Sequence, residues 1–296
     1  MKNTLVIILI ASIVFSSCKK DKDQPAPKEP MLVFRFKFDP TQQRLDNFGN
    51  PSTVPSNHGA QSPSFNKMSA HYIELAPGEF TPLGSGAVVF HHDETNAGGA
   101  HAIDFSKSVL AGNNQTFFSI PLKNVAAGNY QYLRVSLAYQ NYDIQMRVAG
   151  SDITGTLASF IGYNTYISSF KIKDSTIVLN ANRRQGYWAF EIHDFGFPLP
   201  QYVSSGLAPE GATTVPNPLS GTSPIPAGSC VVTGAFASPL AITGSETDDI
   251  IITVSLSTNN SFEWVENSTA GFFEPADGDT VVDMGIRGLI PLVTKQ

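Results

Sequence analysis

Met31-Leu32-Val33-Phe34-Arg35-Phe36-Lys37-Phe38 is the stretch on which the fold turns. Leu32, Phe34, Phe36 and Phe38 share one parity, and Val33, Arg35 and Lys37 the other. An extended strand, whose successive side chains point to opposite faces, separates them in this way. The same period of two returns downstream. Leu133, Val135, Leu137 and Tyr139 keep one parity, whereas Tyr142, Ile144, Met146 and Val148 keep the other, which predicts a turn or bulge at Gln140-Asn141. Trp188, Phe190 and Ile192 alternate with Ala189, Glu191 and His193, and Ile250, Ile252, Val254 and Leu256 alternate with Ile251, Thr253 and Ser255.

No stretch sustains apolar residues at helical spacing, and the 24 glycines and 20 prolines are scattered as many turns would require. Together these features predict an all-β antiparallel sandwich elaborated with long loops. The segment 31–296 is long for one sandwich, and two packed sandwiches divided near Gly150 is the alternative organisation. Two regions, Asp39 to Met68 and Pro198 to Gly228, combine prolines with Asn, Ser, Gly and Thr and are expected to be long loops.

The N-terminus carries an address. Met1-Lys2-Asn3 precedes an apolar run from Leu5 to Val14, and Phe15-Ser16-Ser17 leads to Cys18. A basic start, a short apolar stretch and small residues are the parts of a secretory signal, and the run is too short to span a bilayer. A cysteine after two small residues resembles the lipobox of bacterial lipoproteins. That resemblance implies a signal peptide over residues 1–17 and a lipid-modified Cys18 as the mature N-terminus. Residues 18–30, charged and carrying three prolines, then form a tether. Several acyl chains would anchor the protein to the membrane firmly. No Asp follows Cys18 directly, so lipoprotein sorting rules favour the outer membrane.

A net charge of −6 with no basic cluster argues against nucleic acid as a partner. With Cys18 taken by lipid, Cys230 has no partner within the chain and is expected to be a small buried side chain.

The densest polar cluster is His91-His92-Asp93-Glu94, followed by His101 and Asp104 across Asn96-Ala97-Gly98-Gly99. Imidazole and carboxylate suit zinc or copper. Adjacent residues on a strand face opposite ways, so His91 and His92 cannot both reach one ion from a regular strand. A hairpin centred on Asn96-Ala97 would place His92 opposite His101, with Cβ atoms about 5 Å apart. His58 and His71 join only if the fold brings them near, and His193 is expected on a solvated face.

Weaker candidates are an acidic turn from Glu274 to Asp279, without EF-hand spacing, and the carboxylates Glu191, Glu263 and Glu266 as a glycosidase pair. Trp188, Trp264, Phe262, Phe272 and Phe273 are either core or sugar-stacking surfaces. No nucleophile elbow, His-Glu-x-x-His or phosphate loop occurs.

Three segments form a set: Leu122-Lys123-Asn124-Val125-Ala126-Ala127-Gly128-Asn129-Tyr130, Gly186-Tyr187-Trp188-Ala189-Phe190-Glu191 and Asn260-Ser261-Phe262-Glu263-Trp264. The set resembles envelope β-sandwich proteins of the methanobactin-associated, copper-binding type, with Ala126 standing where that pattern prefers proline. The resemblance implies a β-sandwich and a copper role, and carries over no metal ligand position. The first expectation is therefore a lipid-anchored, non-enzymatic binding or accessory protein with an envelope protein or glycan as partner. A copper- or zinc-binding protein and a surface glycan hydrolase are the alternatives.

Overall fold

The computed structural model describes residues 28–46, 49–192, 202–208 and 229–296; the leader, Cys18 and His193 lie outside them. The described residues form strands joined by turns and short 3-10 segments, with no α-helix among them. In chain order the strands are β1 (Met31–Asp39), β2 (His58–Gln61), β3 (Ser64–Ala76), β4 (Ala87–His91), β5 (Glu94–Thr95), β6 (Ala102–Asp104) and β7 (Thr116–Pro121). They continue with β8 (Gly128–Val148), β9 (Ser151–Phe160), β10 (Asn164–Lys171), β11 (Thr176–Arg184), β12 (Tyr187–Ile192) and β13 (Tyr202–Leu207). The last are β14 (Cys230–Ile242), β15 (Ile250–Ser257), β16 (Phe262–Val265), β17 (Thr280–Met284) and β18 (Leu289–Lys295).

The protein is all-β, and its sheets are mostly antiparallel. One sheet runs β18-β15-β1-β7, with β1 and β15 parallel. The largest runs β13-β12-β9-β8-β3-β4. The 21-residue β8 organises it: β3 lies along one side, while β14 and then β9 share the other. Two smaller sheets, β11-β10-β6-β5 and β17-β16-β2, complete the fold.

Each sheet buries its apolar parity. β1 alternates buried and half-buried residues along its whole length. Its Leu32, Phe34 and Phe36 meet Ile73, Leu75, Leu133, Val135, Leu137 and Val232 of the large sheet in the main core. Full burial of one such side chain is worth about 1.5–3 kcal/mol. Beyond the middle of β8 the large sheet is covered on both faces. Tyr142, Ile144, Leu157 and Phe190 pack on Phe262, Trp264 and Met284, while Tyr139, Phe160 and Tyr187 pack on Ile167 and Phe170.

The change of parity in β8 is a bulge. Ser69 pairs with Tyr139 but Ala70 with Leu137, so Ala138 is the extra residue. Its carbonyl accepts from both Ile161 and Gly162 backbone N–H groups, at 2.9 and 3.1 Å. The strand passes through Gln140-Asn141 unbroken, so the irregularity lies two residues earlier than the sequence predicts. As a result Tyr139 leaves the face of Leu137, with which its parity grouped it, and joins the opposite core. A second bulge makes His71 the extra residue of β3, between Ala70 paired with Leu137 and Tyr72 paired with Ser136.

Gly150 lies in the turn between two strands paired with each other in the large sheet. Ala149 and Gly150, with φ of 49° and 77°, form the two-residue turn joining β8 to β9, and such turns require left-handed backbone. The expected loop from Asp39 to Met68 contains β2 and the start of β3. Cys230 is buried as expected, and burial pushes its thiol up to about 12, which makes it inert.

Arg134 departs from the parity rule because both faces of β8 are covered there. Its guanidinium donates to the carbonyls of Thr81 and Glu79 and lies 3.9 Å from the fully buried Glu74 carboxylate. Two substitutions separate this arrangement from a solvated Arg134. Leu137→Ala should lower unfolding free energy by about 2–5 kcal/mol. Arg134→Ala should cost about 3–5 kcal/mol, because Glu74 would keep a buried charge with no cation beside it and the Thr81 and Glu79 carbonyls would lose their donor. Urea denaturation of both variants measures this, and a near-neutral Arg134→Ala would refute the buried pairing.

Candidate metal centre

Between β4 and β5 the chain crosses from the large sheet to the small one in two residues, His92 and Asp93. Backbone bonds fix both sides of the crossing. His92 N–H donates to the His71 carbonyl at 2.8 Å, and Asp104 N–H donates to the Asp93 carbonyl at 3.0 Å. The seam therefore sets the bulged His71 of β3, His91 at the end of β4 and Glu94 at the start of β5 side by side. One ring nitrogen of each histidine and a Glu94 oxygen all lie within 4.8 Å of one another.

The hydrogen bonds around these groups are specific. Glu94 Oε1 accepts from His71 Nε2 and from the Tyr163 hydroxyl, each at 2.9 Å, while Oε2 accepts from His101 Nε2 at 2.6 Å. Burial would raise the Glu94 pKa, but the donors His71, Tyr163 and His101 outweigh it and hold the carboxyl at about 2. Tyr163 is shifted upward by its own burial and by the carboxylate beside it. His71 is fully buried, and this desolvation lowers its pKa despite the bond to Glu94, so the neutral ring is the form present at pH 7.

Neutral imidazole is the metal-binding form. His91 Nδ1 donates to the His92 carbonyl at 2.9 Å, which leaves the Nε2 lone pair available. This matches the common design in which a backbone carbonyl fixes the tautomer of a ligating histidine. His71 Nδ1 is buried with no hydrogen-bond partner among the described residues. The His71 ring lies edge-on to His91 and is tilted against Tyr163, with centroids 5.0 and 5.4 Å apart.

Of the six residues the sequence grouped for metal, His91 and Glu94 enter this cluster and His101 touches it through Glu94. His92 points elsewhere: Nδ1 donates to the Asp93 carbonyl at 2.7 Å and Nε2 accepts from Ser108 Oγ at 2.9 Å, so both nitrogens are used. Asp93 is exposed. Asp104 caps the 3-10 turn Phe105–Lys107 by accepting from Ser106 N–H. The reason is register. Glu94 pairs with Ile103 and Thr95 with Ala102, which centres the hairpin on Gly98-Gly99, so His92 is not opposite His101.

The fold does bring His71 near, and Tyr163 is the residue the sequence reading lacked. His71 belongs to a buried run of β3, and Tyr163 to a turn with no pattern of its own. His58 does not join them; its Nδ1 donates to Glu263 Oε1 at 2.5 Å.

The remaining candidates are structural. Glu263 is held between Arg44 and His58 in the interior, Glu191 accepts the backbone N–H groups of Lys173, Asp174 and Ser175, and Glu266 accepts from Gly271 N–H. Each carboxylate is engaged by its own set of donors. The acidic turn closes on itself, as Asp279 accepts from Asn267, Ser268 and Glu274. Trp264, Phe262 and Phe273 are core. Phe272 is partly exposed but carries the Arg147 guanidinium 3.3 Å above its ring, beside a cleft of about 370 Å³.

Comparison with protein-family models, with curated proteins and with solved structures finds no match. The chemistry of the seam therefore has to be read from its own geometry.

His92 tests that reading of roles. Its substitution by Ala leaves Ser108 and the Asp93 carbonyl without their partner, so stability should fall by about 1–3 kcal/mol. Zinc affinity should stay at the parent value. Parallel urea and zinc titrations check this, and loss of zinc affinity would return His92 to the ligand set.

Proposed function

We propose that this is a lipid-anchored envelope protein that binds a divalent transition-metal ion, zinc or copper, through His71, His91 and Glu94. Its role on this reading is binding or accessory, and hydrolysis plays no part in it. The observation that carries the reading is the convergence of two imidazoles and an ionised carboxylate from three different strands at one seam.

The donor set supports the choice of ion. Two nitrogens and one oxygen suit zinc and copper(II), whereas calcium and magnesium take oxygen ligands and copper(I) prefers sulfur. Three protein ligands leave a further coordination position for an exchangeable group. Burial limits the movement of His71 and the bond to the His92 carbonyl that of His91, so less conformational entropy remains to be lost on binding.

Membrane anchoring is supported by the lipobox-like sequence ending at Cys18. At the start of the described chain, Lys28 pairs with Asp249 at 2.6 Å and Glu29 with Lys123 at 2.5 Å. A tether on residues 18–30 would then leave from this end of the β1–β15 sheet.

Calorimetric titration of the mature protein with zinc and with copper(II) should give one ion per chain. His71→Ala, His91→Ala and Glu94→Gln should each abolish stoichiometric binding, while Asp104→Asn should keep it. At a free ion concentration 100 times the Kd, the ion should add about 2.7 kcal/mol of stability to the parent and none to Glu94→Gln. Stoichiometric binding by all three ligand variants would sink the assignment. For the anchor, Cys18→Ser should leave the precursor unprocessed and unlabelled by a fatty-acid probe; normal labelling would refute lipidation.

A further inference from the structure

His101, which bonds Glu94, has 59% of its side chain open to solvent. The backbone that carries it is nevertheless fixed. Asn182 on β11 donates Nδ2 to the Ala100 carbonyl at 3.0 Å, and Asn164 on β10 donates Nδ2 to the His101 carbonyl at 2.9 Å. Glycine at position 98 makes the first bond attainable, because a Cβ there would fall 1.9 Å from Asn182 Oδ1. Gly99 beside it takes a φ of 85°, which completes the tight turn. The hairpin tip is thus held by two side-chain amides, while the imidazole can still rotate about its own bonds.

That imidazole stands on the solvent side of the cluster. His71 and Tyr163 hold Glu94 Oε1 from the interior, and His101 holds Oε2 from outside. We propose that His101 is the exchangeable fourth ligand of the centre, the group through which a zinc or copper(II) ion enters and leaves. The proposal rests on the metal-binding reading above. His71, His91 and Glu94, borne on strands, set the geometry. His101 gives up its bond to Oε2 and turns its Nε2 lone pair to the ion, its proton passing to Nδ1 or to solvent. Four-coordinate nitrogen and oxygen sites are the usual preference of zinc. A ligand on a side chain that moves alone gives a route for exchange without opening the sandwich.

The test uses the full mature chain with cobalt(II) as the spectroscopic probe and zinc in competition. His101→Ala should still bind one cobalt per chain, but roughly 10- to 100-fold more weakly, the range typical of losing a supporting group at a metal site. Release to a chelator should be faster, and the visible cobalt bands should change as the coordination shell changes. Excess imidazole should restore the parent spectrum by filling the vacated position. Gly98→Ala should reproduce the weaker binding, because its Cβ displaces Asn182 and with it the turn. His71→Ala should bind no cobalt stoichiometrically, with or without imidazole.

An unaltered spectrum and affinity in His101→Ala would overturn the proposal and leave the three-ligand site standing. Weaker binding that imidazole cannot restore would also overturn it, by making His101 a positioning residue for Glu94. Stoichiometric binding by His71→Ala would overturn both the proposal and the reading beneath it.

Discussion

A strand of 21 residues extends about 70 Å at the usual rise, and a sheet twists too strongly for such a strand to keep one flat face against one neighbour. β8 meets this constraint by changing partners and by bulging. β14 accompanies its first half and β9 its second, and the extra residue Ala138 sits at the handover. The bulge reassigns every later side chain to the other face. The main core can therefore end at Leu137 while Tyr139 opens a separate core on the opposite side. The small sheets exist to cover those two faces.

The candidate metal centre is a by-product of the same adjustment. β3 must follow β8 past the bulge, and it does so with bulges of its own, one of which leaves His71 without a partner on β8. A regular strand at this point would have left His71 to alternate with its neighbours. The short crossing through His92 and Asp93 then brings β5 against that position, and Glu94 arrives ionised beside a ring that burial keeps neutral. Such a pairing holds little redundancy. The carboxylate is satisfied by three donors, whereas His71 Nδ1 has no partner among the described residues.

Buried charge elsewhere follows a different rule. Glu263 sits between Arg44, at 2.7 Å, and His58, and Arg287 bonds Asp283 at 2.6 Å nearby. Glu74 receives the N–H groups of Gly84 and Gly86 and lies opposite Arg134. In these places each carboxylate is matched by cations or backbone donors, as isolation of a charge in the interior demands. Such networks hold segments together.

The period-two pattern in residues 31–38 determined that β1 is a half-buried strand, and the same pattern in β8, β12 and β15 determined an all-β protein. These are local properties: alternation fixes which side chains share a face, whatever the neighbour. The likeness of residues 1–18 to a lipoprotein leader is local in the same sense, and so is the turn at Asn96 to Gly99. Tertiary structure alone decided the rest. Parity cannot say whether the second face is covered, and Arg134 and Glu191, opposite the apolar parity of their strands, are buried. Composition cannot set hairpin register, and a shift of the centre from Asn96-Ala97 to Gly98-Gly99 removed His92 from the cluster. His71, 20 residues from His91 in sequence, joined it only because a bulge and a change of sheet meet at one seam. Metal-ligand geometry depends on pairing between distant strands, and strand pairing is a property of the whole sheet that no short stretch of residues encodes.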